Sequence, residues 1–123
     1  MKREMEIVLI EDNEDDAQMM LCFLRRHFTN DIRLIQDGAD AVNFLLFEND
    51  SKPKLILLDV VLPSVDGIEL YKIIRAEPKE RGLSVVMLIS SDRSRDYLKS
   101  LDIKPDGYLK KPKGEALPCR LAD

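Results

Sequence analysis

Three carboxylates and one lysine stand out by where they fall along the chain. Glu11 and Asp12 follow the apolar run Ile7-Val8-Leu9-Ile10, Asp59 ends the run Leu55-Ile56-Leu57-Leu58, and Lys111 comes just after Gly107-Tyr108-Leu109-Lys110. Carboxylates crowded together raise one another's pKa and cost stability unless a cation sits among them. A hard divalent ion with oxygen ligands, most simply Mg²⁺, relieves that repulsion through one or two carboxylates and keeps several waters. A carboxylate at the end of a buried strand can also attack a phosphoryl group and form an acyl phosphate. Such a transfer needs positioning and electrostatic stabilisation, and Lys111 would be the cation for it. The Lys111–Pro112 bond is a candidate cis peptide that would aim the ammonium. Taken alone, Lys111 reads more readily as a solvated charge in the basic stretch 110–113, and it is Asp12 and Asp59 that turn the reading to function. Glu14, Asp15 and Asp16 are expected to decorate a helix N-terminus, where their charge suits the dipole.

The elements that must position these groups follow from the hydrophobic pattern. Ile7 to Ile10 is a continuous apolar run, the mark of a strand buried on both faces. Ala17, Met20, Leu21, Leu24 and Phe28 then recur at helical spacing, with Arg25, Arg26 and His27 in the last turn. The alternation repeats. Residues 32–35 form a strand candidate, Gly38 a break, and Val42, Leu45 and Leu46 one face of a second helix. Residues 55–58 form the most apolar strand, and Leu70, Ile73 and Ile74 mark a third helix ending near Ala76, before Pro78. Residues 85–89 are a fourth strand, Leu98 and Leu101 mark a weaker helix, and 107–109 are a short fifth strand. Fully apolar strands alternating with helices predict an α/β class, a doubly wound parallel sheet of five strands. In such a sheet ligands collect beyond the carboxyl ends of the strands, at Glu11 and Asp12, Asp59, Ile89 to Ser91, and Lys110 to Lys111.

Composition narrows the chemistry. The 123 residues, 45% of them apolar, are enough for one core, and the net charge of −4 gives no reason to expect direct nucleic-acid contact. No apolar run approaches the roughly 20 residues needed to span a bilayer, so a cytoplasmic, membrane-free protein is expected. Cys22 and Cys119 lack metal or redox spacing and are expected as free thiols, Cys22 packing within its helix. The single histidine, His27, removes histidine-pair metal sites and reads as a helix-end surface residue.

Together, Glu11-Asp12, the segment Leu57-Leu58-Asp59-Val60-Val61-Leu62-Pro63-Ser64-Val65-Asp66-Gly67 and the segment Gly107-Tyr108-Leu109-Lys110-Lys111-Pro112 resemble the receiver domain of two-component response regulators. The resemblance covers residues 6 to about 112, leaving 113–123 as a tail or truncated last helix. It implies a flavodoxin-like strand order 2-1-3-4-5, Asp59 as phosphoacceptor, and Mg²⁺ held by Glu11, Asp12, Asp59 and the backbone carbonyl of Val61. It also implies Lys111 as the catalytic lysine and Tyr108 as a switch aromatic. Partners would be a histidine kinase or phosphotransfer protein and a downstream protein target, with slow autodephosphorylation in place of enzymatic turnover. Residues 11–17 and 53–59 look like those of stand-alone regulators associated with phytochrome-type histidine kinases. A chain of this length is expected to signal through protein contacts rather than an output domain of its own.

Two features depart from the family pattern. Thirty positions after Asp59, where the family carries Thr or Ser, stands Ile89, which has no donor for a phosphoryl oxygen. The domain would then switch weakly, switch through Ser90 or Ser91, or be read without that hydroxyl. A separate reading is a pseudo-receiver, a binding module that keeps the fold but no longer switches in the usual way because of Ile89. Pro118 interrupts the expected last helix, so that helix should be short or missing, and the exposed sheet would favour a homodimer. Two enzyme or carrier readings fit less well. An aspartyl-nucleophile phosphohydrolase needs a second acid two positions on, where Val61 stands, and a flavin carrier would not place five acids within residues 11–16.

Overall fold

The computed structural model describes residues 5–47, 53–59, 67–78 and 82–111. Five strands and four helices alternate: β1 (Glu6–Ile10), α1 (Glu14–His27), β2 (Ile32–Ile35), α2 (Gly38–Phe47), β3 (Lys54–Asp59), α3 (Gly67–Arg75), β4 (Leu83–Ile89), α4 (Asp92–Ser100) and β5 (Gly107–Lys110). All neighbouring strands pair in parallel, in the order β2-β1-β3-β4-β5. The doubly wound five-stranded sheet expected from the apolar runs is therefore present.

Each strand feeds two cores because successive side chains point to opposite faces. Val8 and Ile10 with Ile56 and Leu58 face α2, α3 and α4, meeting Phe44, Leu45, Leu70, Ile74 and Leu98. Ile7 and Leu9 with Leu57 face α1, meeting Met20, Leu21 and Leu24. This two-sided burial explains why the runs Ile7–Ile10 and Leu55–Leu58 within the central strands are apolar at consecutive rather than alternate positions.

Local chemistry fixes the helix ends. The Asn13 side chain caps α1 by accepting from the Asp16 N–H at 2.9 Å. Gly38 is not the expected break but the first residue of α2, because Asp37 caps that helix and accepts from the Ala39 N–H at 2.7 Å. After α4 the Asp102 N–H bonds to the Lys99 carbonyl and the Ile103 N–H to the Leu98 carbonyl, each at 3.0 Å. Asp102 has φ of 62°, so it fills the left-handed position that more often takes glycine. Ile103 and Leu98 are both buried, the hydrophobic contact that accompanies this helix stop. The turn sends the chain directly into β5.

Three charges meet at the sheet's amino-terminal end. Lys54 Nζ meets Glu6 Oε1 at 2.9 Å in a buried ion pair, and Arg33 Nε reaches Glu6 Oε2 at 3.3 Å while its guanidinium stacks 4.2 Å over the Phe44 ring. Cys22 is disulfide-bonded rather than the free thiol expected from sequence. Spacing along the chain does not limit a disulfide; the distance between Cα atoms does. The other cysteine, Cys119, lies outside the described residues, as do Val61, Pro112 with its candidate cis bond, and the expected tail at 113–123. His27 is exposed at the end of α1, its ring 4.6 Å from that of Phe23.

Candidate functional site

The strand order reverses between β1 and β3, and the carboxylates emerge there. Ile10 pairs with Leu58, which brings Glu11 and Asp59 to the same level at the carboxyl edge of the two central strands. Oxygens of Glu11, Asp12 and Asp59 lie within 4.8 Å of one another. Glu11 is fully buried, Asp59 is 8% exposed, and Asp12 is the most open of the three. Lys111 arrives from the end of β5, two strands beyond β3, and its Nζ stands 2.9 Å from Asp59 Oδ2 and 3.0 Å from Glu11 Oε1.

The electrostatics follow from burial around these charges. Burial raises the Glu11 carboxyl to about 7, helped by a hydrogen bond and charge repulsion from Asp59 and opposed by Lys111. Burial disfavours the Lys111 ammonium, but Asp59 and Glu11 outweigh it and hold the pKa well above the ordinary lysine value. Lys111 is therefore a fixed cation. Glu11 Oε1 is charge-paired with it but, among the described residues, accepts no well-aligned hydrogen bond. A buried, directionally unsatisfied carboxylate oxygen beside two further carboxylates is a donor set suited to a hard divalent cation, and Mg²⁺ fits it.

A third acid meets the lysine. The Asp16 carboxylate lies 3.2 Å from Lys111 Nζ, so this residue does more than decorate the helix end. Glu14 accepts from Gln18 at 2.9 Å and Gln36 at 3.2 Å, and those bonds lower its pKa. Nothing in the spacing of five neighbouring acids marks Asp16 as the one that would meet a residue from the far end of the chain.

A cleft of about 570 Å³ opens beside the carboxylates, lined among others by Asp59, Ser90, Ser91, Arg93 and Lys111. Ile89 borders it yet is buried among Val85, Met87 and the partly buried Tyr108. The Ser91 hydroxyl caps α4, accepting from the Ser94 N–H at 3.3 Å. Ser90, the exposed residue directly after β4, lines the same cleft as Asp59. Tyr108 is half-buried, and its hydroxyl donates weakly to the Ile103 carbonyl at 3.4 Å.

Comparison with known proteins agrees with this architecture. The family model described as response regulator receiver domain matches residues 7–120. The response regulator Rcp1 of Synechocystis is 32% identical over 110 residues, covering 85% of this chain and 75% of Rcp1. The Mn²⁺-bound form of a response regulator Rcp1 is 32% identical and superposes with a TM-score of 0.69 over 90% of this chain and 84% of its own. The bacteriophytochrome response regulator RtBRR is 31% identical, with a TM-score of 0.77 over 92% of this chain and 71% of its own. The receiver domain of the sensor histidine kinase PA1611 of Pseudomonas aeruginosa, with a magnesium ion in its active-site cleft, is 29% identical, with a TM-score of 0.72 over 91% of this chain and 88% of its own. With the same topology, the acidic cluster at its switch point and a lysine held against Asp59, this chain belongs to the response regulator receiver domain family.

Proposed function

We propose that this receiver takes a phosphoryl group onto Asp59 and passes the signal on by protein contact. The observation that carries the reading is Lys111 Nζ at 2.9 Å from Asp59 Oδ2, beside carboxylates that converge within 4.8 Å. Asp59 Oδ attacks the phosphorus, the new O–P bond forms, and the bond to the donor breaks with its electron pair on the donor. A phosphorylated histidine of a kinase or phosphotransfer protein is the natural donor, and the likeness to RtBRR supports a phytochrome-type kinase. The residues holding Mg²⁺ are Glu11, Asp12 and Asp59, with the backbone carbonyl of Val61 as a further ligand. When bound, the ion supplies positive charge to the phosphoryl oxygens.

Lys111 contributes the second positive charge, placed by the end of β5 and kept protonated by its carboxylate neighbours. Ser90 is the hydroxyl that takes the part Ile89 cannot, being the first residue after β4 and lining the cleft with Asp59. Tyr108, on the same face as Ile89, is the aromatic that reads the change. The folded unit is assigned to residues 6–112, with 113–123 as tail, and the exchange to the cytoplasm. Slow hydrolysis of the acyl phosphate returns the resting state.

Incubation with acetyl phosphate and Mg²⁺, followed by intact-mass spectrometry, tests the reading. The chain should gain one phosphoryl group, and Asp59→Asn or removal of the ion by a chelator should prevent it. A wild-type chain that gains none under saturating donor contradicts the proposal.

A further inference from the structure

We propose that Asp16 is a positioning residue for Lys111, a carboxylate outside the metal trio that holds the ammonium over Asp59 during phosphoryl transfer. The proposal deepens the receiver reading and rests on it.

The place of Asp16 in α1 makes its contact unusual. Asn13 is the N-cap, so Asp16 occupies the third helical position. A carboxylate there ordinarily turns back to the cap residue's own N–H and closes a capping box. In this chain the Asn13 N–H points instead to Glu11 Oε2, at 3.4 Å. The Asp16 side chain is thereby released from the helix end and reaches Lys111 Nζ at 3.2 Å. The Asp16 side chain is 32% exposed and that of Lys111 18%, so the contact is shielded without burying an isolated charge.

The division of labour among the acids gives this contact a role. Glu11, Asp12 and Asp59 converge on one point, and Asp16 is not among them. Once a cation neutralises that trio and Asp59 carries a phosphoryl group, Glu11 and Asp59 no longer offer Lys111 the charges they offer in the metal-free site. Asp16 remains. A lysine is a point charge on a flexible four-carbon stem, and a second anchor limits the positions its ammonium can visit. In the step itself an Asp59 oxygen bonds to the phosphorus of acetyl phosphate. The P–O bond to the acetyl group breaks, and acetate leaves with the electron pair. Lys111 keeps its proton throughout and follows the phosphoryl oxygens, while Asp16 touches none of the reacting atoms.

The test compares phosphorylation rates by acetyl phosphate with Mg²⁺ in the wild type and in Asp16→Ala, Asp16→Asn and Asp16→Glu, each also in a Lys111→Met background. Asp16→Ala should slow phosphorylation by about tenfold, within the about 10²-fold that a small misplacement of a catalytic group can cost. Asp16→Asn, which keeps an oxygen but loses the charge, should fall between, and Asp16→Glu should recover most of the rate. In the Lys111→Met background Asp16→Ala should make no further difference. Wild-type rates in Asp16→Ala would overturn the assignment. So would an equal loss with and without Lys111, which would mark a helix-end role. If Asp16→Ala folds poorly, the Asn and Glu variants carry the comparison, with unfolding midpoints measured beside them. A wild-type chain that accepts no phosphoryl group would sink the receiver reading and this proposal together, whereas a competent wild type with an indifferent Asp16 would sink this proposal alone.

Discussion

The Lys111 backbone N–H donates to the Ile89 carbonyl at 2.8 Å. This bond extends the β4–β5 ladder by one step beyond Ile89 and Lys110, so the residue bearing the cation is tied to the position that lacks a hydroxyl. Displacement of the β4 end must therefore move the start of the segment that aims Lys111. The Ile89 side chain is 3% exposed and packs in the core that Tyr108 borders. Coupling from Asp59 toward Tyr108 thus has an apolar contact where a hydrogen bond would otherwise act.

Ile89→Thr should trade stability for a stronger response. Replacing a buried isoleucine with a shorter, polar side chain should cost about 1–3 kcal/mol, read by denaturant unfolding. The Tyr108 ring resonances should then shift more on phosphorylation than in the wild type. Ser90→Ala should abolish the smaller wild-type shift. An unchanged Tyr108 response in both variants would remove Ser90 and the strand end from the pathway.

Metal affinity should depend on pH with a definite sign. The metal-free Glu11 carboxyl titrates near 7, raised by burial and by Asp59 above an ordinary value of 4.5. Below that value a bound cation must displace its proton, so Mg²⁺ affinity should fall by about tenfold per pH unit under about pH 7 and level off above it. Because this folded-state pKa lies above the unfolded one, the metal-free fold should lose stability as pH rises from 4.5 to about 7. Mg²⁺ should restore it most on the alkaline side. Calorimetric titrations on both sides of neutrality check the slope, and equal affinities would contradict it.

Breaking the buried pair at the opposite end of the sheet should weaken the fold and spare the chemistry. Lys54 and Glu6 have side chains 2% and 9% exposed and meet at 2.9 Å. Lys54→Met leaves Glu6 buried beside Arg33 without the lysine's charge and should cost about 3 kcal/mol. Adding Glu6→Leu should recover much of that loss. Urea unfolding measures both, and the folded variants should accept phosphate at the wild-type rate because Lys54 begins the strand that Asp59 ends.

What the sequence made legible was whatever depends on order along a strand. Ile7 to Ile10 and Leu55 to Leu58 announce buried strands, and the acids that end them must fall at the sheet's carboxyl edge. Their meeting with Lys111 follows from the parallel order. The rest depended on contacts that no periodicity encodes. Asp16 reaches across 95 residues, a partner choice decided when Asn13 takes over the helix cap. Lys54 looks like a polar strand start until Glu6 is set beside it by register. Gly38 reads as a break because glycine disfavours helices, yet the Asp37 side chain supplies the cap that starts one there. The bond made by Cys22 depends on proximity in three dimensions, which chain spacing does not report.

The most direct measurement locates the phosphoryl group. Brief phosphorylation with acetyl phosphate and Mg²⁺, borohydride reduction of the acyl phosphate to the alcohol, and peptide mass mapping identify the modified carboxylate. Homoserine is expected at position 59, and is expected to be absent without Mg²⁺. Reduction at another acid, or at none while the wild-type chain is folded and metal-loaded, would contradict it.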